Sequence, residues 1–376
     1  MYVISMGQTL IFAILPALGR EVGLREMQIN LIISVSALLF SFMSSRWGRQ
    51  SDQWGRKRVI LIGLLGYGIG NAVFAYGFHL GLSGLLAGTA FYLTLFAIRL
   101  SQSFLMSATS PAIGAYVADH TSPQLRTKSF AKVGAANNLG TITGPIVASI
   151  FVGLSLLAPL LVASLVTLLA ALIIAWRLPN NSIPKLEQRA KLRYNDKRYR
   201  HYIIATFGVF LCFSSMQQTI GFTLQDSLSL NAAKTVIYTG IVLMVSAICS
   251  VFSQMILVQR VNLKPLQFIR RGVSAMVIGM IVIVIFEGFV SMLVGMSLMG
   301  IGLGLTMPNV YSGASLTVES YDQGAISGLV ASVPSMGFII GPVLAGSLYQ
   351  ISPTYPHWFA TAIIAGTAFW LLYRRH

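Results

Sequence analysis

The sequence predicts an all-α polytopic membrane protein in which twelve transmembrane helices form two pseudo-symmetric six-helix halves. Hydrophobic residues make up 55% of the 376 residues, charged residues only 10%, and the mean hydropathy is +0.74. Soluble chains carry about 25% charged residues. Apolar runs of about 20 residues, the length of a membrane-spanning helix, recur along the whole chain. The motifs Gly140–Pro145 (GTITGP) and Gly337–Pro342 (GFIIGP) lie 197 residues apart, and Pro111 and Pro308 share that offset. This offset predicts two parallel repeats, a transporter architecture.

The predicted spans are apolar runs bounded by charged or turn-forming residues. Each is expected to be helical because a backbone in lipid must satisfy its own hydrogen bonds. Alternating segments of the β-barrel type do not occur in the sequence. In chain order the spans run approximately over Met1–Leu18, Gln28–Ser45, Val59–Phe78, Leu86–Val117, Phe130–Gly153, Leu157–Trp176, Tyr202–Thr223, Val236–Val258, Leu266–Phe286, Val290–Val318, Gly324–Tyr349 and Pro356–Leu372.

The one long polar stretch runs from Leu178 to Arg200 and is rich in charge and turn formers. It predicts a cytoplasmic linker between the halves. The domain organisation is therefore an N-terminal bundle over 1–177, a linker over 178–201 and a C-terminal bundle over 202–376. A basic helix lying on anionic lipid is the alternative for this stretch.

The basic residues set the expected orientation. The 26 Lys and Arg residues cluster in predicted loops 2–3, 4–5, 6–7 and 8–9 and at the C-terminus, the exceptions being Arg20, Arg25, Lys234 and the mid-span Arg99. By the positive-inside rule both termini are cytoplasmic, in a multi-pass protein of the cell inner (plasma) membrane. The net charge of +16 follows from topology, so a nucleic-acid partner is not expected.

Several classes of site are not expected from the sequence. Cys212 and Cys249 lie within apolar spans without a CxxC partner, so neither a disulfide framework nor a metal site is predicted. No nucleophile–base set or phosphate-cradling loop indicates an enzyme or a cofactor. No charged ring or filter-like segment indicates a channel.

Loop 2–3 reads WGRQSDQWGRKR and places Asp52 among basic residues. Topology explains the basic residues but not the acid, which in an apolar setting needs a donor. Gly48 and Gly55 allow a tight turn close to neighbouring helices. A solvated loop is the alternative to a structural role.

Arg99 is a charge deep within the fourth span, and such a residue is a candidate functional site by default. Spans one to six contain no acid apart from Asp52 and Asp119 at the membrane edge. Two interpretations stay open. Arg99 either belongs to a polar network with backbone carbonyls and water, or it holds an anionic group of a cargo molecule.

Polar or aromatic residues in spans one, four, seven and ten are the cargo-lining candidates. The residues chosen are Gln8, Phe12, Gln217, Gln218, Asn309 and Tyr311. The first span contains no acidic residue, and Asp226 and Glu287 lie near the ends of their spans. The sequence therefore does not identify a proton-binding residue, and it leaves room for neutral or anionic cargo.

Three motifs resemble those of the major facilitator superfamily. Loop 2–3 is similar to its G-x-x-x-D-x-x-G-R-[KR] motif, through Gly48, Asp52, Gly55, Arg56 and Lys57. The fourth span is similar to the R-x-x-Q-G motif through Arg99 and Gln102, with Ser103 in place of glycine. The fifth span is similar to the antiporter motif G-x-x-x-G-P-x-x-G-G of drug:proton antiporters, through Gly140, Gly144 and Pro145.

The resemblance implies roles for these residues. Asp52 is expected to contact the N-terminus of the eleventh span, near Gly324–Ser327, where free N–H groups and the helix dipole favour an anion. This contact would join the halves on the cytoplasmic side as a gate. Arg56 is expected to face Asp119, and Arg99 to help couple protons to transport. The bend at Pro145 is expected to favour exchange over leak.

The sequence thus predicts a secondary active transporter, a proton-coupled exporter of small molecules that works by alternating access. Its expected partners are a small-molecule cargo, protons and the lipid bilayer, in a monomeric protein. One alternative is an exporter of an anionic metabolite such as a polycarboxylate siderophore, held by Arg99. The alternative from another class is a membrane sensor or scaffold that does not transport.

Overall fold

The computed structural model describes residues 1–121, 123–179, 195–261, 263–286, 288–319 and 323–373, and all regular structure in these ranges is helical. The helices are α1 (Tyr2–Glu21), α2 (Glu26–Trp54), α3 (Arg56–Leu82), α4 (Gly88–Met106), α5 (Thr109–Asp119), α6 (Pro123–Phe151), α7 (Ala158–Arg177), α8 (Arg200–Ser227), α9 (Ala232–Phe252), α10 (Val258–Arg260), α11 (Pro265–Ile285), α12 (Phe289–Ser315), α13 (Gln323–Ile351) and α14 (Tyr355–Tyr373).

These fourteen segments form the twelve predicted spans, because two spans are interrupted. The fourth span is α4 followed by α5, with a break at Ser107 and Ala108. The eighth is α9 continued through a π-helical turn, Ser253–Leu257, into α10. Within the described residues, nine spans are long and apolar enough to cross a membrane by themselves. The all-α, twelve-span prediction is confirmed.

The chain divides into two compact units. One contains α1–α7 and residues 232–240, and the other contains α8, the rest of α9 and α10–α14. The predicted boundaries at residues 177 and 201 stay a prediction, because residues 180–194 of the linker lie outside the described part. Where the description resumes, Arg198 donates to Asp196 through its side chain and backbone, which holds the pKa of that carboxyl below its ordinary value.

The core of the first unit is organised around α3. Tyr67 and Leu64 are fully buried and pack with Ile4 of α1 and Met106 of α4. Ser164 of α7 donates to the carbonyl oxygen of Gly68 at 2.7 Å. These contacts bring α1, α3 and α4 together around Tyr67, so polar side chains of α1 and α4 can meet there.

The interface between α1 and α6 depends on glycine. A Cβ at Gly144 would overlap the carbonyl oxygen of Met6 and the hydroxyl of Thr9, and would lie 2.9 Å from the backbone nitrogen of Leu10. A Cβ at Gly140 would lie 2.9 Å from the backbone nitrogen of Met6. Only glycine at these positions lets the two backbones approach this closely.

The second unit repeats this interface between α8 and α13. A Cβ at Gly337 would lie 2.7 Å from the carbonyl carbon of Phe210, and one at Gly341 would overlap the Ser214 hydroxyl. Ser214 donates to the carbonyl oxygen of Gly337 at 2.8 Å. Gly337 and Gly341 follow Gly140 and Gly144 by 197 residues, so the sequence repeat corresponds to repeated helix packing.

Candidate functional site

Arg99 lies at the centre of a buried polar network in the first unit. It is 3% exposed and donates from Nη1 to Gln102 Oε1 at 2.5 Å, and from Nη2 to Gln8 Oε1 at 3.4 Å. Gln102 in turn donates from Nε2 to Asn71 Oδ1 at 2.7 Å and to the Tyr67 carbonyl oxygen at 3.2 Å. We call Arg99, Gln102, Gln8, Asn71 and Tyr67 the Arg99 network.

The helix geometry explains how this network assembles. Arg99 and Gln102 are one turn apart on α4 and therefore share a face. A Cβ at Gly70 of α3 would overlap Gln102, and one at Gly7 of α1 would overlap the Tyr67 side chain. These two glycines let three helices meet around one guanidinium group.

The sequence analysis identified Arg99, Gln102 and Gln8 but missed Asn71 and Tyr67. Asn71 could have been predicted from the sequence, since a polar amide in the middle of an apolar span needs a partner. Tyr67 could not, because an aromatic residue in a span is explained by packing alone.

The loop 2–3 motif forms a second charged cluster in the first unit. Arg56 pairs with Asp52 one turn before it and with Asp119 at the end of α5, where Nε lies 2.9 Å from Oδ2. Arg56 Nη1 also donates to Ser51 Oγ at 2.6 Å. Arg56 therefore contacts Asp119, and Asp52 has a donor within its own unit.

The glycines of the motif form the turn between α2 and α3. Gly55 has φ +91°, a conformation that side chains with a Cβ rarely adopt. A Cβ added at Gly48 would lie 3.5 Å from the Cβ of Pro111. Lys57 is the second residue of α3, half-buried beside Arg56. The contact of Asp52 with Gly324–Ser327 stays a prediction, because three of those four side chains lie outside the described part.

The antiporter motif lies on α6. Gly140 and Gly144 form the close interface with α1, and Pro145 follows inside the helix. Ser149 Oγ donates to the Pro145 carbonyl oxygen, four residues earlier in the same helix, over 2.9 Å. The motif thereby fixes the position of α1, the helix that carries Gln8.

The remaining cargo-lining candidates lie on three helices. Phe12 is half-buried on α1, and Tyr311 is half-buried on α12. Gln217 and Gln218 are buried on α8, and Gln217 Oε1 and both polar atoms of Gln218 have no hydrogen-bond partner among the described residues. Asn309 donates to the Leu305 carbonyl oxygen of its own helix at 2.8 Å. The amides of α8 are thus the second unit's candidates for binding a polar ligand.

The described carboxylates all lie at helix ends or in loops: Glu21, Glu26, Asp52, Asp119, Asp196, Asp226 and Glu319. Glu287 lies outside the described residues. Asp226, at the end of α8, accepts a hydrogen bond from the Tyr349 hydroxyl at 2.7 Å. Asp226 borders a cavity of about 300 Å³ that His357 and Thr223 also line. His357 Nε2 lies 3.1 Å from Thr223 Oγ1. The sequence analysis did not predict this cavity.

Comparisons with known proteins found matches along most of the chain. The family model described as Major Facilitator Superfamily matches residues 2–333. The chain is 26% identical to Multidrug resistance protein 2 of Bacillus subtilis, over 96% of this chain and 89% of that protein. It is 24% identical to Quinolone resistance protein NorA of Staphylococcus aureus, over 100% of this chain and 95% of that protein.

Solved structures show the same fold at lower identity. A bacterial homologue of the iron transporter ferroportin, in an inward-facing state, matches with a TM-score of 0.75 and 14% identity, over 99% of this chain and 95% of that chain. The nucleoside transporter NupG matches with a TM-score of 0.72 and 15% identity, over 98% of this chain and 96% of that chain.

Proposed function

The chain belongs to the major facilitator superfamily, and we propose that it exports drug-like small molecules across a plasma membrane in exchange for protons. As a member of this family it is a membrane transporter and not an enzyme. The observation that carries the proposal is full-length similarity to two proteins named for drug resistance, Multidrug resistance protein 2 and NorA.

The proposed mechanism is alternating access by the two repeats. The Arg99 network, which includes Gln8, forms the polar part of the first unit's binding surface, and Gln217 and Gln218 form that of the second. Amides and one shielded guanidinium in apolar surroundings suit cargo that is mostly apolar with a few hydrogen-bonding groups. A polycarboxylate cargo is less well supported, because Arg99 is 3% exposed and its bonds go to neutral amides.

The cluster of Asp52, Arg56 and Asp119 is proposed to act as the gate. Asp52 and Asp119 both pair with Arg56. Because Arg56 keeps Asp119 as a partner, Asp52 can leave Arg56 and bind the N-terminus of α13 at a low cost in free energy. The basic loops support the proposed topology, with both termini cytoplasmic. The transporter is proposed to be monomeric. A sensor that does not transport is disfavoured, because the motifs that resemble transport motifs all have ordered partners in the described residues.

Transport in proteoliposomes tests the proposal. Purified protein is reconstituted with a fluorescent pH indicator in the lumen, and either a quinolone or a lipophilic cationic dye is added on one side. We expect proton movement opposite to drug movement, abolished in Arg99→Ala. The matched control is Arg177→Gln, which removes an exposed charge at the end of α7. Drug-independent proton flux, or no flux with any cargo, would sink the proposal.

A further inference from the structure

The cavity of about 300 Å³ in the second unit lies where α8, α11 and α13 end and where α12 and α14 begin. The two short connections beside it, residues 286–288 and 352–354, contain no Lys or Arg. By the positive-inside rule this is the outer end of the unit in the proposed topology. We call it the Asp226 cavity, and its lining includes Asp226, Phe286, Met292, Tyr349, His357 and Trp358.

The charge of the Asp226 cavity comes from Asp226, among the described residues that line it. This side chain is exposed at the end of α8 and accepts a hydrogen bond from Tyr349 Oη at 2.7 Å. A carboxylate can accept about four hydrogen bonds, so a ligand can donate to Asp226 while Tyr349 stays bonded. His357 Nε2 lies 3.1 Å from Thr223 Oγ1, and an imidazole is mostly neutral above about pH 7. The described lining therefore favours a cation over an anion.

The walls of the Asp226 cavity are mainly apolar and aromatic. Ile283 and Met292 are buried and lie on its inner side, whereas Phe286 and Trp358 are exposed, as Asp226 is, and lie at its mouth. Water beside apolar walls lacks hydrogen-bond partners, so an apolar group that displaces it gains affinity. Aromatic faces also attract cations. A ligand with an apolar body and one cationic group matches both parts of the lining.

The volume of the Asp226 cavity restricts the size of the ligand. Binding cavities range over about 300–1,000 Å³, so this one suits a molecule with a single ring. We propose that the Asp226 cavity binds a small aromatic amine, with its ammonium group on Asp226 and its ring between Phe286 and Met292.

The proposed site is separate from the amides that are proposed to bind cargo. Gln217 lies nine positions before Asp226 on α8, which is about 14 Å along the helix. All lining residues of the Asp226 cavity belong to the second unit. Binding of an amine there does not depend on the proposed drug export.

Three one-ring probes of similar shape separate the ligand chemistries. Phenethylamine is a cation at neutral pH, phenethyl alcohol is neutral and hydrocinnamate is an anion. Each probe is titrated into the purified full-length protein in detergent by isothermal titration calorimetry, and the heat of a protein-free titration into micelles is subtracted. We expect phenethylamine to bind at least about tenfold more tightly than the other two probes, because a hydrogen bond to a charged group contributes about that much.

Two pairs of variants test the assignment. Asp226→Asn keeps the shape of the side chain but removes its charge, and it should weaken phenethylamine binding about tenfold. Its control is Glu319→Gln, which removes an exposed carboxylate beyond the far end of α12 and should bind as the wild type does. Trp358→Leu should weaken phenethylamine binding about threefold, whereas Trp176→Leu, at an exposed position of α7, should not change it.

The variant at Trp358 keeps the proposal testable if Asp226→Asn does not fold. Trp358 is 59% exposed, so its replacement leaves the core of the second unit unchanged. The comparison of the three probes on the wild type needs no variant at all.

Amine-selective binding that requires Asp226 and Trp358 supports the proposal. The proposal is overturned if the wild type does not bind phenethylamine, if phenethyl alcohol or hydrocinnamate binds as tightly, or if either variant binds phenethylamine as the wild type does. Amine binding without drug transport overturns the proposed function alone. Drug-driven proton flux by a protein that does not bind phenethylamine overturns this inference alone.

Discussion

Replacing Gly144 with alanine tests whether the close α1–α6 interface is required. The added Cβ would overlap Met6 O and Thr9 Oγ1 and lie 2.9 Å from Leu10 N. Two of these three atoms belong to the α1 backbone, so no rotamer change can relieve the contact and the helices must separate. Overpacking of this kind costs about 1–3 kcal/mol. For a chain of 376 residues, a loss of about 2 kcal/mol in the free energy of unfolding corresponds to a melting temperature lower by about 2–4 °C.

The control is Gly134→Ala in the same helix. A Cβ at Gly134 meets no described atom within 4 Å, so alanine there should be neutral or stabilising by up to about 1 kcal/mol. Thermal unfolding and drug transport are measured for both variants. We expect Gly144→Ala to lose stability and transport because α1 carries Gln8. Equal melting temperatures and equal transport for the two variants would refute the interface argument.

Three further substitutions have defined outcomes. Asp52→Asn removes one of the two negative partners of Arg56 and should reduce transport at least tenfold with expression retained; wild-type transport would refute the gate. Ser214→Ala removes the hydrogen bond to Gly337 and should lower the free energy of unfolding by about 1 kcal/mol. An unchanged thermal unfolding profile would show that this hydrogen bond does not stabilise the α8–α13 interface. Gln217→Ala should change the relative transport of a quinolone and a cationic dye, whereas an equal effect on both would argue against cargo contact.

The fold was largely predictable because the membrane allows few solutions. Long apolar runs must become helices, and the 197-residue offset revealed the repeat. The interruption of the fourth span had a signal that the sequence analysis did not use: Pro111 lies four residues after Ser107, so its missing N–H leaves the Ser107 carbonyl without a helix hydrogen bond. The π-helical turn of the eighth span contains neither proline nor glycine, so its sequence gave no comparable signal.

The site was predictable where a residue type is costly in lipid. Arg99 stood out for that reason, and Gln102 and Gln8 followed as polar groups in apolar spans. Tyr67 was not identified, because its contact with the network is a backbone carbonyl oxygen that accepts from Gln102, which the residue type does not indicate. The ion pair of Asp52 with Arg56 was likewise missed, although the residues are one helical turn apart, because the expected partner of Asp52 was α13.

The most direct test of the central claim is drug-driven proton flux in proteoliposomes that contain wild-type protein, Arg99→Ala or Arg177→Gln. The account predicts lumenal pH changes that require drug, reverse when the drug gradient is reversed, and vanish in Arg99→Ala but not in Arg177→Gln. Equal fluxes in all three proteins, or drug movement without any proton movement, would contradict proton-coupled export.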